Sequence, residues 1–226
     1  MRTPVADAGN DELGDLIERD AMTGDVYDAA LAAGAAAVDR LPANVRVLAL
    51  GEMGIGNTTP ASAVTAALLG LPAGDVVGPG TGLDDRGIAS QAALIDRALA
   101  RGDFREPHEV ARALGGRDIA ALVGAMGRAV ERRVAVLVDG FIVGAAALVL
   151  CRAQPEIRCR LLFAHRSREP GHRRLLQALD AGPLLELDMA LGEGSGALAA
   201  LPLVDLACAL HADMATFESV GVAYRG

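Results

Sequence analysis

Lysine is missing from this chain, and all 21 basic residues are arginine. Schiff-base chemistry and a lysine general base are thereby excluded. No Cys-x-x-Cys pair occurs; Cys151, Cys159 and Cys208 are an odd, widely spaced set in apolar or mixed surroundings. They read as reduced core thiols, which favours a cytoplasmic compartment. Basic clusters are lacking and the formal charge is -8, so nucleic acid is not expected as a partner, since its backbone requires a cationic surface. A nest of backbone amides still binds one phosphate at any net charge. Residues 1–20 are polar and acidic and do not form a secretory signal. Internal repeats are absent.

What the chain does have is enough apolar sequence for a core. With 226 residues, 52% of them hydrophobic, it reads as a polar segment over residues 1–20 followed by one globular domain over 21–226, with room for a helical appendage. The most apolar window, 134–151, is about long enough to raise the question of a membrane span. Asp139-Gly140 divides it, so strand, turn and helix are expected instead, and no membrane partner.

The most informative stretch is Gly51-Glu52-Met53-Gly54-Ile55-Gly56-Asn57-Thr58-Thr59. It joins an apolar run, residues 45–50, to an Ala/Leu-rich helical pattern over 61–69. A strand, a glycine-rich turn and a helix start follow from that order. Glycines let backbone N–H groups approach a ligand, and a helix N-terminus adds unpaired donors and a favourable dipole, so the turn suits a phosphate or a sugar hydroxyl. A P-loop needs Lys then Ser or Thr after its last glycine, and a dinucleotide fingerprint needs G-x-G-x-x-G. Neither occurs here.

Along the chain the pattern alternates. Thr23 is placed to cap a helix running to about Leu41. After the glycine turn and its helix comes a second glycine loop, 78–82, and Asp84-Asp85 open a helix to about Arg101, acidic residues being favourable in a first turn. Helices are expected over 107–114 and 118–132, strands over 134–138 and 160–164, and helices from Phe141, to Leu179 and to Phe217. Short strands alternating with helices point to an α/β fold with a parallel sheet. The loops after Leu50, Val138 and Ala164 then share the carboxyl edge of that sheet, where ligands bind, and the loops at 78–82 and 192–196 are candidates to join them.

In order and spacing these segments resemble one family. Gly51 through Thr59, Gly80-Thr81-Gly82-Leu83-Asp84-Asp85, Asp139-Gly140-Phe141-Ile142, His165-Arg166-Ser167 and Leu191-Gly192-Glu193-Gly194-Ser195-Gly196 look like those of nicotinate-nucleotide:dimethylbenzimidazole phosphoribosyltransferases, which act in cobalamin lower-ligand synthesis. The resemblance covers the chain from about Ala21 onward. It implies a Rossmann-like sheet flanked by helices, no cofactor, a homodimer, and two substrates, nicotinate mononucleotide and 5,6-dimethylbenzimidazole.

The implied reaction transfers phosphoribose to the benzimidazole with inversion, giving α-ribazole 5′-phosphate and nicotinate. Nicotinate leaves from a positively charged pyridinium, so no acid is needed to expel it. The benzimidazole N–H does need a base. Glu193 matches the family's catalytic carboxylate, and its flanking glycines would let it meet a flat ring closely. Glu52 matches the other site carboxylate, suited to ribose hydroxyls and oxocarbenium-like charge. The resemblance assigns substrate contacts to Gly54, Gly56, Asn57, Thr58, Gly80, Thr81, Gly82, Gln91, Ser167 and Leu191. His165 and His172 lack a recognised ligand spacing, so no metal site is expected there.

Departures from the family bear on activity. Gln91 stands where the family usually carries Lys, and a lost charge-assisted contact costs roughly 1.5–3 kcal/mol. Family members are typically about half as long again, with early strands and benzimidazole-gripping residues on the N-terminal side. Two expectations follow: a phosphoribosyltransferase whose acceptor pocket another chain completes, or an impaired homologue that only binds a nucleotide or related phosphate.

Overall fold

Three short aliphatic runs, Val47–Leu50 (β1), Ala135–Val138 (β2) and Leu161–Phe163 (β3), pair as a parallel sheet in the order β1-β2-β3. They do so in a computed structural model that describes residues 15–80, 82–221 and 223. Leu50 lies opposite Val138, and Val138 opposite Phe163, so all three strands end at one edge. Residues alternate between the two faces. Leu48, Val136, Val138, Leu161 and Phe163 enter the main core, whereas Val47, Ala49, Leu137 and Leu162 pack with Ala197 and Ala200 on the other side. Burial on both faces explains why the strands read as continuous apolar runs rather than alternating ones.

Eight helices surround the sheet among the described residues: α1 (Gly24–Asp39), α2 (Thr58–Leu69), α3 (Asp85–Leu99), α4 (Pro107–Leu114), α5 (Arg117–Glu131), α6 (Phe141–Ala153), α7 (Pro170–Ala178) and α8 (Ser195–Asp213). Thr23 caps α1 by accepting the Val26 N–H at 3.3 Å, and Asp84 caps α3 by accepting that of Gly87 at 2.8 Å. The apolar window at 134–151 resolves into β2 and the buried α6, as its central Asp139-Gly140 requires. α1 and α5 cross with backbones nearly touching. A Cβ on Gly34 would lie 1.8 Å from the Ala121 carbonyl oxygen, and one on Gly124 2.0 Å from that of Leu31.

Two element ends depart from expectation by more than two residues. α2 begins at Thr58 rather than Ala61, because Pro60 falls within the first turn, where its missing N–H would have no partner anyway. α8 ends at Asp213 and not near Phe217. Thr216 accepts the Ser219 N–H at 3.1 Å and the Ser219 hydroxyl at 2.8 Å, a local turn that competes with helical pairing. The polar segment expected over 1–20 lies mostly outside the described residues, but its described end is tied down. Asp20 pairs with Arg112 at 2.7 Å and Arg101 at 3.2 Å.

α8 is the only described helix on its side of the sheet. Its first turns bury Gly196, Ala197 and Ala200, while Leu198 among them and Leu203, Leu206 and Leu210 beyond them are exposed. By length and composition this helix, not the 134–151 window, is long and apolar enough to cross a membrane.

Candidate active site

Each strand delivers a loop to the same edge. β1 runs into residues 51–57, β2 into Asp139-Gly140, and β3 into residues 164–169. The loop preceding α8 closes over the first of these. A Cβ on Gly51 would lie 2.2 Å from the Gly194 nitrogen, so only glycine permits this crossing. The Glu193 N–H donates to the Glu52 carbonyl at 3.2 Å. Two carboxylates far apart in sequence thus stand on segments bonded to each other. Gly192, Glu193 and Gly194 have φ of 76°, 58° and 78°. Three successive left-handed residues form a tight arch, and the one that bears a side chain carries the strain, on the order of 1 kcal/mol.

Glu52 is half-buried, and Asn57 holds it. The Asn57 Nδ2 donates to Glu52 Oε2 at 2.6 Å and to Asp118 Oδ2 at 2.9 Å. Gly54 makes room for that amide, since a Cβ there would fall 2.3 Å from Nδ2. Asn57, to which the resemblance assigns a substrate contact, thus gives its amide N–H groups to two carboxylates in this structure. Burial raises the Glu52 pKa above its ordinary value; the Asn57 hydrogen bond opposes this, and the charges of Asp118, Asp139 and Glu193 reinforce it. A carboxylate so placed favours a nearby positive charge.

The second glycine loop meets the start of α2. A Cβ on Gly80 would sit 3.1 Å from Thr58 Oγ1, and the Gly80 and Gly82 φ values of 51° and 132° require glycine. Gln91, on α3, donates from Nε2 to Thr59 Oγ1, which places it beside the same turn. Thr81 lies outside the described residues. Glu169 joins this loop to α7: its Oε1 accepts the Gly80 N–H at 3.1 Å, while burial raises its pKa. Sequence reasoning missed this role, because nothing local marks a contact with Gly80.

Ser167 lies on the β3 side. Its N–H and hydroxyl both sit 3.0 Å from His172 Nδ1. Burial first, and then the neighbouring His165, push the His172 pKa down to about 3, so its ring is neutral and Nδ1 accepts. Ser167 also lines a cleft of about 730 Å³ with Arg166, Arg168 and Arg173. Glu193 and the glycine turn are not part of that cleft; they face an open edge. At that edge Ile55 is 99% exposed, Met53 80% and Leu191 72%. Apolar side chains left uncovered beside two carboxylates make a surface for a flat, weakly polar ring. Among the described residues no group of three or more His, Cys, Asp and Glu is arranged to hold a metal ion.

Comparison with known proteins shows the family. A family model described as phosphoribosyltransferase matches residues 9–222. The chain is 51% identical over 208 residues to a nicotinate-nucleotide–dimethylbenzimidazole phosphoribosyltransferase of Pseudomonas putida F1, covering 91% of this chain and 59% of that protein. The enzyme of the same name from Pseudomonas aeruginosa PAO1 is 51% identical over 213 residues, 93% of this chain and 61% of its own length. The crystal structure of CobT from Thermus thermophilus superposes with a TM-score of 0.88 at 45% identity, covering 95% of this chain and 64% of that one. The chain thus spans about three fifths of the length of the curated relatives it matches.

Proposed function

The chain belongs to the phosphoribosyltransferase family, and from that membership we propose that it transfers phosphoribose from nicotinate mononucleotide to 5,6-dimethylbenzimidazole, giving α-ribazole 5′-phosphate and nicotinate in cobalamin synthesis. The observation that carries this reading is the contact between the Glu52 and Glu193 loops at the carboxyl edge of the sheet. Two carboxylates on adjoining segments, with glycine turns beside them, support reading Glu193 as the base, Glu52 as its companion and the turns as the place for the donor.

In this reading the bond from the anomeric carbon to the pyridinium nitrogen breaks, and one from that carbon to a benzimidazole nitrogen forms. The bonding pair returns to the departing ring and neutralises its pyridinium charge, so nicotinate needs no proton. Glu193 takes the proton from the other benzimidazole nitrogen, and the oxocarbenium-like charge between the two bases is stabilised by Glu52. Ser167 and the backbone groups of Gly54, Gly56 and Thr58 receive the phosphate and ribose, and the loop of Gly80 and Gly82, whose N–H groups are bonded to Glu169 and Pro79, shapes the wall beside them. Ile55, Met53 and Leu191 support the acceptor ring. The donor contact assigned to Thr81 belongs to the same loop, and Gln91 acts from α3.

Two further points of the reading concern setting. A helix apolar on all sides is normally covered, and the leucines of α8 are not. We assign that cover to a second copy of the chain, making a homodimer. Of the three cysteines expected as core thiols, only Cys151 is buried; Cys159 and Cys208 are exposed, and we assign the protein to a reducing cytoplasm, where such thiols stay free.

The test is incubation of purified protein with nicotinate mononucleotide and dimethylbenzimidazole, with Glu193→Gln as control. α-Ribazole 5′-phosphate from the unsubstituted protein supports the reading. Donor binding without any product from folded protein at high concentration would sink it.

A further inference from the structure

Asp139 is 2% exposed, so its carboxylate has to find its partners inside the protein. It does. Its Oδ2 accepts the Gly194 N–H at 3.1 Å, and its Oδ1 accepts the Ala197 N–H at 2.9 Å. Those two amides bracket the entry into α8 and are among the donors that a helix leaves unpaired at its start. Gly194, the residue at the N-cap position, has no side chain to satisfy them. The cap is supplied from the end of β2 instead.

We propose that Asp139 is a positioning residue for Glu193, an inference that rests on the phosphoribosyltransfer reading above. The argument is geometric. Glu193 sits between two glycines in the left-handed arch; one local bond closes it, the Ser195 N–H donating to the Gly192 carbonyl at 2.9 Å, and beyond that bond it is held from both ends. One end is the bond from the Glu193 N–H to the Glu52 carbonyl. The other is the pair of charge-assisted bonds to Asp139, which begins at the residue immediately after Glu193. Asp139 itself is wedged. His165 Nε2 lies 3.7 Å from its Oδ1, and a Cβ on Gly196 would fall 2.0 Å from His165 Cδ2 and 2.8 Å from Asp139 Oδ1. Carboxylate, imidazole and helix start therefore fill one buried space without slack. A base held by such an anchor keeps its reach to the acceptor proton, and displacement by about 1 Å costs on the order of 10²-fold in rate.

The experiment compares the full chain with Asp139→Asn, Glu193→Gln and the double variant. Asparagine keeps the shape but turns one acceptor oxygen into a donor facing an N–H. The expected result is a fall in kcat of about 10²-fold with the dissociation constant for nicotinate mononucleotide unchanged, and no further fall when Asp139→Asn is added to Glu193→Gln. Residue-resolved amide exchange supplies a readout independent of turnover: the Gly194 and Ala197 amides exchange about tenfold or more faster in Asp139→Asn. Unaltered exchange at both amides, additive losses in the double variant, or loss of donor affinity in step with kcat overturns the proposal. An unsubstituted protein that makes no product sinks the phosphoribosyltransfer reading, while the exchange comparison still decides whether Asp139 anchors the arch. If Asp139→Asn does not fold, exchange in the unsubstituted protein decides: Gly194 and Ala197 amides as fast as those of a free peptide overturn the anchor.

Discussion

The Glu193 N–H donates to the Glu52 carbonyl at 3.2 Å, and Gly51 lies against Gly194 so closely that a methyl group on Gly51 would have no room. The two candidate carboxylates are therefore one mechanical unit. Gly51→Ala is expected to lower stability by about 1–3 kcal/mol through overpacking, and to lower kcat by spreading the two loops. Thermal melts and steady-state kinetics check both. A stable variant with unchanged turnover would show that the crossing is not needed.

Glu52 gives a pH dependence with a definite sign. Its folded-state pKa is raised above the ordinary 4.5, chiefly by burial. The folded state thus holds this proton more tightly than the unfolded chain does. The associated stability is complete below the ordinary pKa and is lost as pH rises through the raised value. Glu52→Gln is expected to melt at higher temperature than the unsubstituted protein at neutral pH, with the difference vanishing in acid. The same variant is expected to turn over more slowly. Melting curves across pH would count against the raised pKa if the gap stayed constant.

Asn57 supplies the one hydrogen bond that opposes this shift. Removing it by Asn57→Ala leaves a half-buried carboxylate short of a donor, a loss of about 1.5–3 kcal/mol for a bond to a charged group. The Glu52 pKa is expected to climb further, and the acidic limb of the pH–rate profile to move upward with it. An unmoved acidic limb would assign that limb to another group.

Gln91 reaches Thr59 at the start of α2, beside the turn assigned to the donor. Gln91→Lys introduces a charge where nicotinate mononucleotide carries its phosphate in the proposed reading. Donor affinity is expected to rise about 10- to 100-fold, the equivalent of one charge-assisted contact. Calorimetric titration at two salt concentrations checks this, because an ionic gain shrinks with screening.

The α8 face offers a test of assembly. Leu206 and Leu210 are 56% and 57% exposed, and charges there leave the first turn of the helix untouched. The paired variant Leu206→Glu, Leu210→Glu is expected to convert a dimer into a monomer in light-scattering measurements. A dimer that survives both charges would place the interface elsewhere.

Local sequence signals located most elements, since each depends on neighbours within a few residues. Thr23 and Asp84 cap the helices they precede, and Asp139-Gly140 separates β2 from α6. The limits of α2 and α8 moved because of Pro60 and the Thr216–Ser219 turn, which outweigh composition at helix ends. The convergence of the strand-end loops was also legible, because parallel strands joined by helices must put their following loops at one edge. The partners within that edge were not. Asn57 gripping Glu52 and Asp118, Glu169 reaching Gly80, and Asp139 capping a helix from another strand leave no local pattern.

What the amino-acid sequence determined by itself is the set of turns, caps and apolar runs, together with the motifs that mark the family, because these are written in adjacent residues. Tertiary structure alone decided that Glu193 arches onto Glu52, that Asp139 and Asn57 hold the two carboxylates in place, and that α8 packs on the sheet through its first turns alone. Those outcomes depend on which distant backbones come close enough to touch. Gly51 against Gly194 is the contact where that closeness, and not any local preference, sets the site.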